Sequence, residues 1–125
     1  MRFISTKFHG VLDYLSGILF IASPWLFNFA DGSYAQKILV IAGIIVMLMS
    51  VMTNYEAGLI KRIPMATHLY ADILLGIILL ISPWLFNFYE YVALPYIIFG
   101  VLSIGAGLFT EKTPNANIIR NRFLH

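Results

Sequence analysis

The feature that most constrains this chain is that it says one thing twice. Residues 9–29 read HGVLDYLSGILFIASPWLFNF and residues 68–88 read HLYADILLGIILLISPWLFNF, at a constant offset of 59 positions. His9 and His68, Asp13 and Asp72, Gly17 and Gly76, and the whole of Ser23–Phe29 and Ser82–Phe88 coincide. Many of the apolar positions between them drift: Val11 stands against Tyr70, and Leu12 against Ala71. Repetition at a fixed period means one supersecondary unit used twice, so the architecture is constrained before any single element is assigned.

The surroundings of those polar residues decide the solvent. The 125 residues are 60% hydrophobic and only 11% charged, with a mean hydropathy of +0.85. A soluble domain carries about 25% charged residues to cover its surface. This chain cannot cover itself that way, so its solvent is expected to be lipid. Cysteine is absent, which excludes disulfides, thiolate nucleophiles, Cys-ligated zinc and iron–sulfur clusters.

Four apolar stretches, Phe8–Phe29, Ala35–Met52, Thr67–Phe88 and Val92–Thr110, approach the ~20 residues needed to cross a ~30 Å hydrocarbon core. Lys37, near the start of the second, is their only Lys or Arg. Short connections make each repeat a helical hairpin. The expectation is an all-α fold: one membrane domain over 1–125, with repeat 1 at about 5–58, repeat 2 at about 64–112 and a basic cytoplasmic tail at 113–125. An N-terminal signal peptide is dismissed because the same segment recurs at position 67, where no signal peptidase acts.

Orientation follows from the basic residues. Arg2, Lys7, Lys61, Arg62, Lys112, Arg120 and Arg122 fall on one side of the four spans, and Lys37 alone on the other. Basic loops face the cytoplasm, so both termini are expected there. This asymmetry accounts for the net charge of +2 without nucleic acid as a partner. Two spans per repeat make the repeats parallel, related by a pseudo-twofold axis along the membrane normal.

The Ser23-Pro24-Trp25 and Ser82-Pro83-Trp84 motifs lie at the outer ends of the first and third helices. Proline removes a backbone donor, so the helix is expected to kink or stop near Ser23 and Ser82. Trp25 and Trp84 then sit at headgroup depth as anchors, and Asn28 and Asn87 suit the turn beyond. Small residues on the second and fourth helices (Ala42, Gly43, Ser50; Gly100, Ser103, Ala106, Gly107) are read as close-packing positions.

His9 and Asp13 are four apart, as are His68 and Asp72, so each pair shares a helix face that Gly17 or Gly76 continues. A carboxylate facing lipid costs about 2.5–3.5 kcal/mol or more, so the four groups are expected to face the bundle interior and converge on the axis. Gly17 and Gly76 are expected to let the first and third helices cross closely. Three readings of the cluster follow. The first is structural: the four groups lock the hairpins together and support a homodimer or a membrane-protein partner complex. The second is proton or cation handling in a small transporter or channel. The third is a divalent-metal site, Zn²⁺ or Fe²⁺, since two His and two Asp match such ligand sets. Tyr55, Glu56 and Glu111 are placed near the cluster as candidate flanking groups. No nucleophile elbow, phosphate loop or HExxH motif points to an enzyme, and no organic cofactor is expected.

The duplicated HxxxDxxxG followed by SPW, on His9, Asp13, Gly17, Ser23, Pro24 and Trp25 and their counterparts His68, Asp72, Gly76, Ser82, Pro83 and Trp84, resembles the SPW repeat family of prokaryotic integral membrane proteins. The resemblance spans about residues 5–112 and implies two repeats and four spans in a prokaryotic inner membrane. It implies no activity and carries over no catalytic residue.

Overall fold

The computed structural model describes residues 2–113; the expected cytoplasmic tail, with Arg120, Arg122 and His125, lies outside the described residues. Four helices follow in order: α1 (Thr6–Leu26), α2 (Tyr34–Met52), α3 (Met65–Leu85) and α4 (Leu94–Phe109). Helix α1 packs along α2 and α3 along α4, with a lesser contact between α2 and α3. Helices α2 and α3 are long and apolar enough to cross a membrane; α4 is apolar but shorter.

Polar groups share the interior with an apolar core that includes Phe20, Leu39, Leu79 and Tyr96. His9, His68, Asp13, Asp72, Ser23, Ser50, Ser82, Thr53 and Thr110 are buried, while Leu15, Ile18, Leu48, Leu74, Leu102 and both tryptophans are exposed. Polar groups inside and large apolar groups outside is the arrangement a hydrocarbon solvent selects.

The SPWLFNF block is a helix-stop device. The helices do not break at the proline; they continue through Pro24 and Pro83 to Leu26 and Leu85. In the last turn a proline forfeits a single backbone bond, and its fixed φ is already helical. Ser23 Oγ and Ser82 Oγ donate to the carbonyls of Leu19 (2.6 Å) and Ile78 (2.5 Å). Termination falls at Asn28 and Asn87, which take left-handed φ values of 62° and 59°. The next residues, Phe29 and Phe88, turn back to donate to the carbonyls of Pro24 (2.7 Å) and Pro83 (2.8 Å). This six-to-one bond is a Schellman closure. It drives both phenylalanines into the core and leaves Trp25 and Trp84 outside, 61% and 53% exposed.

Close approach occurs within each hairpin, which corrects the expectation that α1 and α3 cross at the glycines. Gly17 faces Gly43 of α2, and Gly76 faces Gly100 of α4. A Cβ at Gly76 would lie 2.7 Å from the Gly100 carbonyl oxygen, and one at Gly43 2.8 Å from that of Gly17. The hairpins join each other elsewhere. Toward the end that carries the SPWLFNF blocks, the Tyr96 hydroxyl donates to the Ala35 carbonyl, and Phe20 meets Phe99 at 4.7 Å between ring centroids.

At the other end the two repeats interlock. Phe3 and Ile4 donate to the Phe109 carbonyl and Glu111 N to that of Ile4; Arg62 and Ile63 donate to the Met52 carbonyl and Asn54 N to that of Ile63. The segment leading into α1 thus pairs with the end of α4, and the segment leading into α3 with the end of α2. These one-residue parallel pairings bring Thr110 beside Ile4 and Thr53 beside Ile63.

Two outcomes follow. Gly76→Val places branched carbons against backbone and should lower stability by about 1–3 kcal/mol, measured by thermal unfolding in detergent. Gly105→Ala, where a Cβ meets nothing within 4 Å, should leave it unchanged. In the loops between the helices of each hairpin, hydrogen bonds from Ser33 and Tyr91 hold the Asp31 carboxyl down at about 2. A depressed folded-state pKa means this tie is present above the ordinary value of 3.8 and lost as pH falls through about 2. In Tyr91→Phe the Asp31 carboxyl, followed by NMR, should titrate closer to 3.8.

Candidate metal centre

His9 and Asp13 of α1 and His68 and Asp72 of α3 meet at one point. His9 Nε2 lies 3.0 Å from Asp13 Oδ1 and 2.9 Å from Asp72 Oδ2. His68 Nε2 lies 3.1 Å from Asp13 Oδ2 and 3.4 Å from Asp72 Oδ2. Each histidine therefore reaches the aspartate of its own repeat and that of the other. All four are buried, at 1%, 0%, 6% and 4% exposure for His9, His68, Asp13 and Asp72. The i,i+4 spacing stacks each pair on one helix face.

The outer ring nitrogens are pinned by the helix ends. His68 Nδ1 lies 2.7 Å from Thr53 Oγ1, and His9 Nδ1 lies 2.7 Å from Thr110 Oγ1. The contacts are crossed: repeat 2's histidine meets repeat 1's threonine, and the reverse. Thr53 Oγ1 donates its own proton to the Met49 carbonyl at 2.5 Å, so it accepts from the imidazole. Nδ1 of His68 therefore carries a proton, and Nε2 is the atom turned toward the carboxylates. The chain after Thr53 folds tightly back on it; a Cβ at Gly58 would overlap the Thr53 carbonyl.

Although carboxylate oxygens stand so near, neither Nε2 makes a hydrogen bond, and Asp72 Oδ2 accepts none. The oxygens lie off the direction an Nε2–H bond would take. One ligand atom from each of the four residues falls within 4.8 Å of all the others. Four ligands at about 2.0–2.1 Å from a tetrahedral ion stand about 3.3–3.4 Å apart. The nitrogen–oxygen distances of 2.9, 3.0, 3.1 and 3.4 Å, which use both oxygens of Asp13, lie at or below that figure.

Of the flanking candidates, Tyr55 reaches the cluster. Its hydroxyl donates to Asp13 Oδ2 at 2.8 Å, and its ring lies 5.5 Å from that of His68. Burial and the Asp13 charge push the Tyr55 hydroxyl up, so it stays a donor. Glu56 instead accepts from the Thr6 hydroxyl at 2.6 and 2.8 Å, and Glu111 contributes only its backbone N–H to Ile4. Thr53 and Thr110 were not anticipated. They become visible in the sequence only when α2 and α4 are aligned at an offset of 57, which also superposes Gly43 on Gly100. The motif residues Ser23, Pro24, Trp25, Ser82, Pro83 and Trp84 lie at the opposite end of the helices from this cluster.

A family model described as the SPW repeat domain matches residues 7–110. The chain belongs to the SPW repeat domain family. The match takes in both copies of the His–Asp pair and both helix-stop blocks. No curated protein and no solved structure matches this SPW repeat chain, so the cluster has to be read from its own geometry.

Thr53→Val keeps the shape of the side chain and removes the hydroxyl that fixes the His68 tautomer. Losing such an outer partner weakens metal binding by about 10–100-fold. If the four residues hold a metal ion, the expected outcome is that loss in a competition titration against a chelator, with the helical far-UV spectrum unchanged.

Proposed function

We propose that this protein is a four-span prokaryotic inner-membrane protein that holds one divalent transition-metal ion at an intramembrane centre formed by His9, Asp13, His68 and Asp72. The observation that carries this reading is the orientation of the imidazoles. Thr53 accepts from His68 Nδ1 because its hydroxyl is committed to Met49, and Nε2 faces carboxylates with no oxygen on its axis. A neutral histidine in that pose turns a lone pair on an anion. An imidazolium in that pose has an N–H without an aligned acceptor. A cation between the four atoms removes both conflicts, and the threonine contact is the outer support that metal-bound histidine commonly has.

Charge supports the same reading. Two carboxylates with two neutral imidazoles carry −2, which a divalent ion cancels in a region where an uncompensated charge is costly. Two nitrogen and two oxygen donors without sulfur favour Zn²⁺ or Fe²⁺ over a soft ion. The metal would fasten α1 to α3, so the ion site also does the locking that the first sequence reading assigned to hydrogen bonds alone.

The four spans run with the His/Asp end toward the cytoplasm. The matched hydrogen bonds of the two repeats support a parallel pseudo-twofold arrangement, and the seven-to-one basic asymmetry supports the orientation. Single cysteines at Ser33 and at Lys61 should label from opposite faces of the membrane; labelling of both from outside contradicts this topology.

The metal is tested on protein purified in detergent from cells supplied with zinc, iron, manganese and cobalt. Elemental analysis should find about one ion per chain, and Asp72→Asn should lose it while remaining helical. Metal-free protein whose thermal stability ignores chelators, but which Asp72→Asn destabilises, would assign the cluster to hydrogen bonding and ion pairing alone.

A further inference from the structure

The two flanks of the centre differ. Between α1 and α4 a cavity of ≈ 420 Å³ runs inward to His9, Asp13 and Asp72. Its walls include Leu19 and Leu102, which are 40% and 63% exposed on the outer surface of the bundle, so it opens sideways toward the lipid. A second cavity of ≈ 480 Å³ nearer the outer end shares Leu19 and Phe99 with it, which extends the groove along the seam. Across the bundle, α2 and α3 approach each other more closely than α1 and α4 do.

The sequence accounts for much of this difference. Ser16, Ser103, Gly105 and Ala106 line the groove. Their counterparts in the other repeat are Leu75, Val46, Leu48 and Met49. At these four positions the α1–α4 seam has small side chains where the α2–α3 seam has bulky ones.

We infer that this groove admits a neutral, membrane-dissolved amphiphile whose hydroxyl head binds at the metal centre. The inference rests on the proposed metal site and names the ligand class that site would take. The walls are mostly apolar and among the described residues no Lys or Arg lines them, so nothing there compensates a phosphate or carboxylate head, and entry from the hydrocarbon favours an uncharged one. The deep end is rich in acceptors. Asp72 Oδ2 is buried without a hydrogen-bond donor, and Ser103 Oγ is committed to the Asp72 carbonyl at 2.8 Å. Asp13 receives the phenol of Tyr55; Asp72 has no such hydroxyl. A hydroxyl arriving through the groove would donate to the Asp72 carboxylate and offer its oxygen lone pairs to an ion held by the four residues, an added ligand that zinc sites permit. A ketone or ester head offers the lone pairs but no proton.

The test uses the full chain in detergent, loaded with Co²⁺, whose visible bands report its ligand set. The probes are 4-decylphenol, decylbenzene, which lacks the hydroxyl, and decyl sulfate, which is anionic. The phenol should shift the bands saturably and the other two should not. Gly105→Leu narrows the groove with the residue found at position 48 and touches no ligand; Gly105 has open space where a Cβ would stand. That variant should take up Co²⁺ normally and bind the phenol at least about tenfold more weakly. Unchanged bands with the phenol, equal shifts with decylbenzene or decyl sulfate, or undiminished binding by Gly105→Leu each overturn the inference while leaving the metal site intact. Failure to take up Co²⁺ at all removes the metal reading and this inference with it.

Discussion

Two carboxylates buried on one axis among apolar helices have to be neutralised, and much of this structure follows from how that is done. Asp13 and Asp72 cannot face lipid without a penalty of about 2.5–3.5 kcal/mol or more each. They cannot face each other without repulsion. The solution places two imidazoles between them, each touching both aspartates, and then fixes each imidazole from behind with a threonine from the opposite repeat. With Nδ1 of His68 committed, the inner faces present two nitrogens and two carboxylates to one small volume. In the proposed reading a divalent ion balances their charge and meets their direction.

That demand explains the interlocked end of the bundle. A threonine at the end of α4 has to stand behind a histidine at the start of α1. The parallel pairings of Ile4 with Thr110 and Ile63 with Thr53 hold both threonines in extended backbone at the points where their helices end. The opposite end has a different task. There the SPWLFNF block ends each helix by a left-handed asparagine, buries one phenylalanine and leaves a tryptophan outside. The family motif is in this sense a boundary marker, and the chemistry lies at the other end of the same helices.

The repeat, the helical hairpins and the convergence of His9, Asp13, His68 and Asp72 were legible in the sequence, because polar residues that recur inside apolar helices have few places to go. Other features were hidden for physical reasons. Thr53 and Thr110 end helices whose offset, 57, differs from that of the first and third, and a threonine at a helix end is commonplace. Gly17 and Gly76 signalled a close crossing without naming the partner. Symmetry suggested α3 for α1, whereas the partner is Gly43 or Gly100 on the helix next in sequence. The helices outran Pro24 and Pro83 because a proline in a final turn sacrifices little. The groove depended on which helices form a seam, after which the contrast of Gly105 with Leu48 becomes readable.

X-ray absorption at the metal edge of protein purified without added chelator tests the central claim most directly. The account predicts a shell of four or five nitrogen and oxygen ligands at about 2.0–2.1 Å, outer-shell scattering from two imidazoles, and loss of that scattering in the His9→Ala and His68→Ala variants. No stoichiometric edge, or an edge from a hydrated ion without imidazole scattering, would contradict it and leave the four residues as a hydrogen-bonded ion cluster.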